Sequence, residues 1–365
     1  MKMTSFQDSL RSVFSLFTLA ILSLLSPGSF AAEEYYDRYG LSPASPAIDL
    51  GVQPLGYPSG VISAVMQRDR ILKKALEDAK QPLKAHPFLR GADMVGLLGT
   101  QKLEAGLLGD MPTLLAASTA HVWVVGLVKQ TSTAIVAKGD VQVGGLLGKR
   151  IAYVPFSSAH HTLLQGLASA GVNDTQVKLM ALRIDDMPGA LERGEIDAFA
   201  AWEPAPTVAL GNSDKNRIVF RGQSTDYFVL ERDFEHRQPE AARHLVAGFF
   251  RAIEWMRRSQ ANLDRAARWV MADAENLSGK PTSLSVSQIG AITKREILSI
   301  PSAPVILQST GTAPLANEYQ FLAKLEKLPA GAKQENVLAA FRYDGLAQVL
   351  AAAKKYQLRS FDYED

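Results

Sequence analysis

Two successive series of short apolar runs, each alternating with amphipathic segments, place the strongest constraint on how this chain folds. The first series starts with Ile48–Val52 and extends to residue 137, and the second starts near residue 140 and ends near Trp202. Strands that alternate with helices over short links are typical of parallel α/β architecture. Because the two series share a layout, the sequence predicts two similar lobes. From about residue 238 the pattern is nearly all helical.

Length and composition agree with a two-lobed globular protein. The 365 residues are too many for one compact core, and the chain is 47% hydrophobic and 21% charged. The net charge of +2 and the absence of a basic run with interleaved aromatics argue against nucleic-acid binding. The chain has no cysteine, which excludes disulfides, thiolate metal sites, a cysteine nucleophile and a lipoprotein anchor.

The N-terminal segment has the features of an export signal. Lys2 and Arg11 form a basic region before an apolar run at residues 13–25, which is too short to span a bilayer. Ser29 and Ala31 supply the small residues of a cleavage site, so we expect a signal peptide at residues 1–31 and cleavage after Ala31. An uncleaved anchor is the alternative. No later run is apolar over the length of a transmembrane helix.

Three turns follow predicted strands and open predicted helices. They lie at residues 56–60, at residues 109–112 and at Ser157-Ser158-Ala159-His160. In open α/β sheets, ligands bind beyond the carboxyl ends of the strands. At the third turn, the unsatisfied backbone N–H groups near residues 159–161, the serine hydroxyls and the positive end of the helix dipole favour an anion. The alternative is structural, because serine and aspartate at these positions often serve only as helix caps.

Trp202 and Glu203 follow the last strand of the second series. The Trp202 ring can stack on an apolar ligand, and Glu203 can accept a hydrogen bond from an amine or a hydroxyl. A carboxylate in the pocket would favour a ligand that carries both signs of charge. The alternative is a core tryptophan and a surface glutamate.

We expect neither a metal nor a cofactor, and no catalysis. His160 and His161 are adjacent on a predicted helix and therefore point in different directions, and no third ligand is near them in sequence. Nucleophile-elbow, zinc-protease, P-loop and dinucleotide-binding motifs are all missing from the sequence.

At these turns the chain resembles the aliphatic-sulfonate, taurine and nitrate class of periplasmic solute-binding proteins of ABC transporters, which share a domain with thiamine pyrimidine-precursor proteins. The resemblance covers about residues 48–260. It rests on the three turns, the phrase Leu146-Leu147-Gly148-Lys149-Arg150-Ile151-Ala152, and the phrase Leu191-Glu192-Arg193-Gly194-Glu195-Ile196-Asp197-Ala198 that leads to Trp202-Glu203-Pro204.

The resemblance implies a type II periplasmic binding protein fold, in which two α/β lobes are joined by two crossing strands. The crossings are expected near residues 133–137 and 226–230. Lobe 1 would contain residues 32–136 and 230–365, including extra C-terminal helices, and lobe 2 residues 137–229. The family's ligand contacts carry over to Tyr57, Ser59, Asp110, Thr131, Ser132, Ser157, Ser158, His160, Trp202 and Glu203.

The sequence departs from the family at three points. The phrase Phe88-Leu89-Arg90-Gly91-Ala92-Asp93 is unusual at the pocket rim, and the tail beyond residue 260 is longer than usual. The cysteine cluster of the related suicidal pyrimidine synthase is missing, which argues against synthase activity.

Taken with the resemblance, the sequence predicts a periplasmic, monomeric binding protein without a stable membrane anchor. It would capture a small organic anion, such as an alkanesulfonate or taurine, and deliver it to an inner-membrane ABC permease. The alternative is a sensor subunit that reports the solute to a membrane receptor or kinase.

Overall fold

The structure is a computed structural model that describes residues 35–298, 314–342 and 344–364. The predicted signal peptide and most of the predicted loop at residues 299–314 lie outside these ranges. The chain divides into two compact units after Gly40. In the first unit, Asp37–Tyr39 form a 3-10 turn, and the Arg38 guanidinium lies over the ring of Tyr35.

The second unit is built on one eight-stranded sheet. Its strands are β1 (Ile48–Val52), β2 (Leu83–Pro87), β3 (Ala105–Gly109), β4 (Val122–Lys138), β5 (Arg150–Tyr153), β6 (Lys178–Ala181), β7 (Ala198–Ala201) and β8 (Asn216–Glu231). They lie in the order β2-β1-β3-β8-β4-β7-β5-β6. The outer strands pair in parallel within each half, as the alternating pattern predicted.

The two long central strands join the halves of the sheet. β4 and β8 pair antiparallel from Val122 opposite Glu231 to Lys138 opposite Asn216. On β8, β3 pairs with the last part of the strand, and on β4, β7 also pairs with the last part of the strand. Each long strand therefore passes from one half to the other, which confirms the two crossing strands.

The sequence pattern divided β4 in two. It predicted separate strands at residues 121–128 and 133–137, whereas the structure has one continuous strand. The interruption in the apolar pattern comes from Lys129, Gln130, Thr131 and Ser132. Pairing with β8 continues through these polar residues and holds them in extended conformation.

The described residues contain fourteen α-helices. They are α1 (Ser59–Gln67), α2 (Arg70–Asp78), α3 (Ala92–Gly99), α4 (Asp110–Ser118), α5 (Ser158–Ser169), α6 (Met187–Glu192), α7 (Ala205–Asn212), α8 (Phe234–Arg237), α9 (Pro239–Arg258), α10 (Gln260–Ser278), α11 (Val286–Leu298), α12 (Pro314–Lys324), α13 (Gln334–Ala339) and α14 (Asp344–Ala351). Further 3-10 turns lie at Val143–Leu146 and Asp174–Gln176. Within the described ranges, no helix is long and apolar enough to cross a membrane.

The buried apolar side chains form separate clusters on the two halves of the sheet. One core cluster combines β1 and β3 with the C-terminal helices, and in it Phe228 stacks on Phe249 with ring centroids 5.1 Å apart. Two further clusters, represented by Phe199 and Leu163, fill the other half. The fold is thus two α/β lobes with the extra helices packed on the first lobe. The residue boundaries of the lobes stay a prediction.

A buried ion pair lies at the point where a predicted single helix is divided into two helices. The sequence predicted a helix over residues 61–79, but α1 ends at Gln67 and α2 begins at Arg70. Between them, the Asp69 carboxylate caps α2 by accepting from Leu72 N–H, and it also accepts from Arg251 Nε at 2.8 Å. Arg251 lies on α9, so this pair attaches the helical tail to the first lobe.

Candidate functional site

The predicted turns converge on a narrow cavity of about 30 Å³ between the halves of the sheet. Residues from both lobes line it. They are Gln53, Gly56, Ser59, Gly91, Gly109, Pro112, Ser157, Ser158, Trp202 and Asp226. Four of the ten residues predicted to contact ligand are among them, namely Ser59, Ser157, Ser158 and Trp202.

The second lobe contributes the N-terminus of α5. Ser157 is the N-cap: its Oγ accepts from His160 N–H at 3.3 Å and donates to the Val154 carbonyl at 2.6 Å. The N–H groups of Ser158 and Ala159 belong to the first turn, where no helix carbonyl precedes them. Together with the dipole of a twelve-residue helix, they favour an anion at this wall of the cavity.

The first lobe contributes a hydroxyl and a carboxylate. Ser59 Oγ donates to Asp226 Oδ2 at 2.7 Å, and both residues line the cavity. Burial raises the pKa of Asp226, and the nearby Lys129 ammonium opposes that rise. Lys129 is itself buried and lies opposite Asp226 in the β4–β8 register. The cavity therefore has an anion-favouring wall and an acidic wall.

Two glycines of the first lobe allow the lobes to come this close. A Cβ on Gly56 would lie 2.8 Å from Trp202 Nε1 of the second lobe. A Cβ on Gly109 would overlap Ser158 Oγ and lie 3.6 Å from Asp226 Oδ1. Neither glycine has a positive φ, so the close approach of the opposite lobe is what requires them.

Three predicted contact residues lie near the cavity but do not line it. Tyr57 has a buried side chain, and its backbone N–H donates to the backbone carbonyl of Glu203. The Asp110 carboxylate accepts from Met111 N–H and from the N–H of residue 225. His160 Nδ1 accepts from the N–H of residue 156, and burial lowers the pKa of His160 to about 4.

Two further predicted residues lie on β4 and bind other side chains. Thr131 Oγ1 donates to Glu296 of α11, and Ser132 Oγ accepts from Arg221 at 3.2 Å. Neither lines the cavity.

Glu203 does not present its carboxylate to the cavity. Oε1 accepts from Arg295 of α11 at 2.9 Å, and Oε2 accepts from the Thr207 hydroxyl at 2.7 Å. The carboxylate that does line the cavity is Asp226, which sequence reasoning missed. Its signal was an acidic residue at the start of the apolar run at residues 226–230. Nothing local in the sequence placed it opposite Ser59.

A larger cavity of about 290 Å³ also lies between the lobes. Its apolar lining includes Leu55, Ile184 and Val208, and Lys280 at its polar edge pairs with Asp186. Tyr57 and Pro204 line this larger cavity, and they lie next to Gly56 and close to Trp202 in the sequence, which line the narrow one.

The chain is similar in sequence to known binding proteins. An NMT1-like family model matches residues 115–271. The taurine-binding periplasmic protein of Escherichia coli is 26% identical over 274 residues, which are 70% of this chain and 82% of that protein. A putative aliphatic sulfonates-binding protein of the same organism is 27% identical over 249 residues, 65% of this chain and 73% of its own length.

The fold has known counterparts as well. The alkanesulfonate-binding protein of Xanthomonas axonopodis pv. citri, solved bound to MOPS, superposes with a TM-score of 0.61 at 20% identity, covering 82% of this chain and 98% of that one. The relatives confirm the likeness predicted from the turns, and this neighbour confirms the predicted fold. The chain resembles the periplasmic solute-binding proteins for taurine and aliphatic sulfonates in sequence and shares their two-lobed fold.

Proposed function

We propose that this protein is the periplasmic solute-binding component of an ABC importer, and that it captures a small organic sulfonate between its lobes. One observation carries the proposal. The N-terminus of α5 in the second lobe and the Ser59–Asp226 pair in the first lobe face one cavity. The named relatives, a taurine-binding protein and a putative aliphatic sulfonates-binding protein, support the substrate class.

The two walls of the cavity favour a ligand with both signs of charge. The sulfonate group accepts hydrogen bonds from the first-turn N–H groups of α5 and from Ser158. An ammonium group of the same ligand donates to Asp226, which Lys129 keeps more acidic than burial alone would leave it. Taurine has both a sulfonate and an ammonium group, whereas a simple alkanesulfonate has only the sulfonate.

Ligand binding closes the lobes around β4 and β8. A ligand that contacts both lobes binds the closed form better than the open form, so it shifts the equilibrium towards closure. The closed form then docks on a membrane permease, and no bond of the ligand is broken. Of the predicted contact residues, Ser59, Ser157, Ser158 and Trp202 touch the ligand in this proposal.

A ligand screen tests the function. Thermal unfolding is followed with taurine, ethanesulfonate, sulfate, nitrate, bicarbonate and glucose. At a concentration one hundred times its Kd, a bound ligand stabilises the fold by about 2.7 kcal/mol. Taurine and ethanesulfonate should raise Tm and glucose should not. Stabilisation by glucose alone would contradict the proposal.

The α5 wall is tested with Ser158→Ala. Loss of one hydrogen bond of about 1 kcal/mol should weaken sulfonate binding about fivefold in calorimetry. Ser169→Ala is the matched control, because Ser169 is exposed at the other end of the same helix. If the two variants bind equally, the Ser158 hydroxyl does not contact the sulfonate.

A further inference from the structure

Three buried ligand-type side chains meet beside the α4 and α5 N-termini. They are Asp110 at the start of α4, His161 on α5 and Glu318 on α12. One potential ligand atom from each lies within 4.8 Å of the others, and all three residues are buried. They come from the first lobe, the second lobe and the C-terminal tail.

Two members of the cluster, His161 and Glu318, lack hydrogen bonds that buried polar groups normally make. Within the part of the chain that the structure describes, neither ring nitrogen of His161 has a hydrogen-bond partner, and Glu318 Oε1 has none. His161 Nδ1 and Glu318 Oε1 are 3.3 Å apart without hydrogen-bond geometry. Burial of a polar atom without a hydrogen-bond partner is unfavourable, so three such atoms in one place indicate a ligand that binds them.

Two of the three side chains, Asp110 and Glu318, have carboxyl groups, which favours a cation between them. A divalent cation would balance two carboxylates. The Asp110 carboxylate is already oriented by the N–H groups of Met111 and Thr225, as outer-shell donors orient a metal ligand.

We propose that Asp110, His161 and Glu318 bind a zinc ion that links both lobes to the tail. One imidazole and two carboxylates form a donor set that zinc accepts, leaving a fourth position for water. With zinc–ligand bonds of about 2.0–2.1 Å, neighbouring ligands of a tetrahedral site are about 3.3–3.4 Å apart. The separation of His161 Nδ1 and Glu318 Oε1 fits this spacing.

The tail is held in position for this role by contacts independent of the metal. α12 packs on α4, and the ring of Phe321 lies against His161 with centroids 5.6 Å apart. Lys327, just beyond α12, pairs with Asp174 of the second lobe at 3.0 Å. The sequence predicted no metal because the two carboxylates lie far from His161 along the chain. The proposal does not depend on the identity of the transported solute.

The test is metal content and stability of the full-length protein. After incubation with Zn²⁺ and desalting, elemental analysis should find about one zinc per chain. A chelator should lower Tm, and added Zn²⁺ should restore it. Glu318→Gln and His161→Asn should lose both the bound zinc and the response to chelator. His86→Asn is the matched control. His86 pairs with Asp49 and is not part of the cluster, so this variant should still bind zinc.

A competition experiment keeps the test independent of variant folding. Wild-type protein is titrated against a chromophoric zinc chelator, and one equivalent should be withdrawn from the dye. X-ray absorption of the complex should show only nitrogen and oxygen ligands. No uptake from the dye, with Tm unaffected by chelator, would overturn the proposal and leave a protonated Glu318 beside neutral His161 as the state of the cluster.

Discussion

Asp226→Asn should weaken taurine binding by about 10- to 150-fold, the factor that corresponds to a hydrogen bond with a charged group of about 1.5–3 kcal/mol. The carboxylate lines the narrow cavity opposite the α5 N-terminus. Its replacement by an amide removes the negative charge that an ammonium group requires but keeps the shape of the side chain. Calorimetric titration with taurine measures the loss.

Ethanesulfonate provides the internal comparison for this variant. It has the sulfonate but no amine, so removal of the Asp226 charge should leave its affinity unchanged or increase it. Asp214→Asn is the matched control, because Asp214 is an exposed aspartate away from the cavity. If taurine and ethanesulfonate respond to Asp226→Asn by the same factor, Asp226 does not contact the amine.

Gly109→Ala should weaken binding of every ligand by about 5- to 150-fold. The added Cβ overlaps Ser158 Oγ, and overpacking of this kind costs about 1–3 kcal/mol. Because Gly109 and Ser158 belong to different lobes, the cost applies to the closed form. Thermal unfolding of the ligand-free variant shows how much of this cost the free protein also bears. Calorimetry and thermal unfolding of the same sample separate the two effects.

Gly96→Ala is the control for this substitution. Gly96 lies on the exposed side of α3, and a Cβ there meets nothing within 4 Å. The variant should bind ligand like the wild type, with unchanged or slightly increased stability. A Gly109→Ala protein that binds with wild-type affinity would show that the lobes do not need this close contact.

Much of the fold could be predicted because it follows from local patterns. β1 was placed at its observed bounds, since five buried residues between turn signals are typical of an interior strand. Prediction was wrong where a distant partner decides the local structure. The break at Asp69 depends on Arg251, and the continuity of β4 through Lys129 depends on pairing with β8.

The candidate site divides along the same line. The turns that hold Ser59, Ser157 and Ser158 could be found because strand-to-helix turns are visible in sequence. The carboxylate that faces the cavity could not be predicted from the sequence. Glu203 had the right position after a strand, but Arg295 and Thr207 occupy its carboxylate, and Asp226 faces the cavity instead. Which of two carboxylates faces the cavity is settled by tertiary packing alone.

The placement of Asp226 opposite Lys129 on β8 and β4 has an evolutionary consequence. In the proposed function, the strands on which the lobes turn also carry the charges that distinguish one solute from another. A substitution that retunes solute preference at these positions also alters how readily the molecule opens. Descendants of this protein would therefore acquire new solutes more freely by changing the rim, at turns such as those of Gly91 and Pro112, than by changing the central strands.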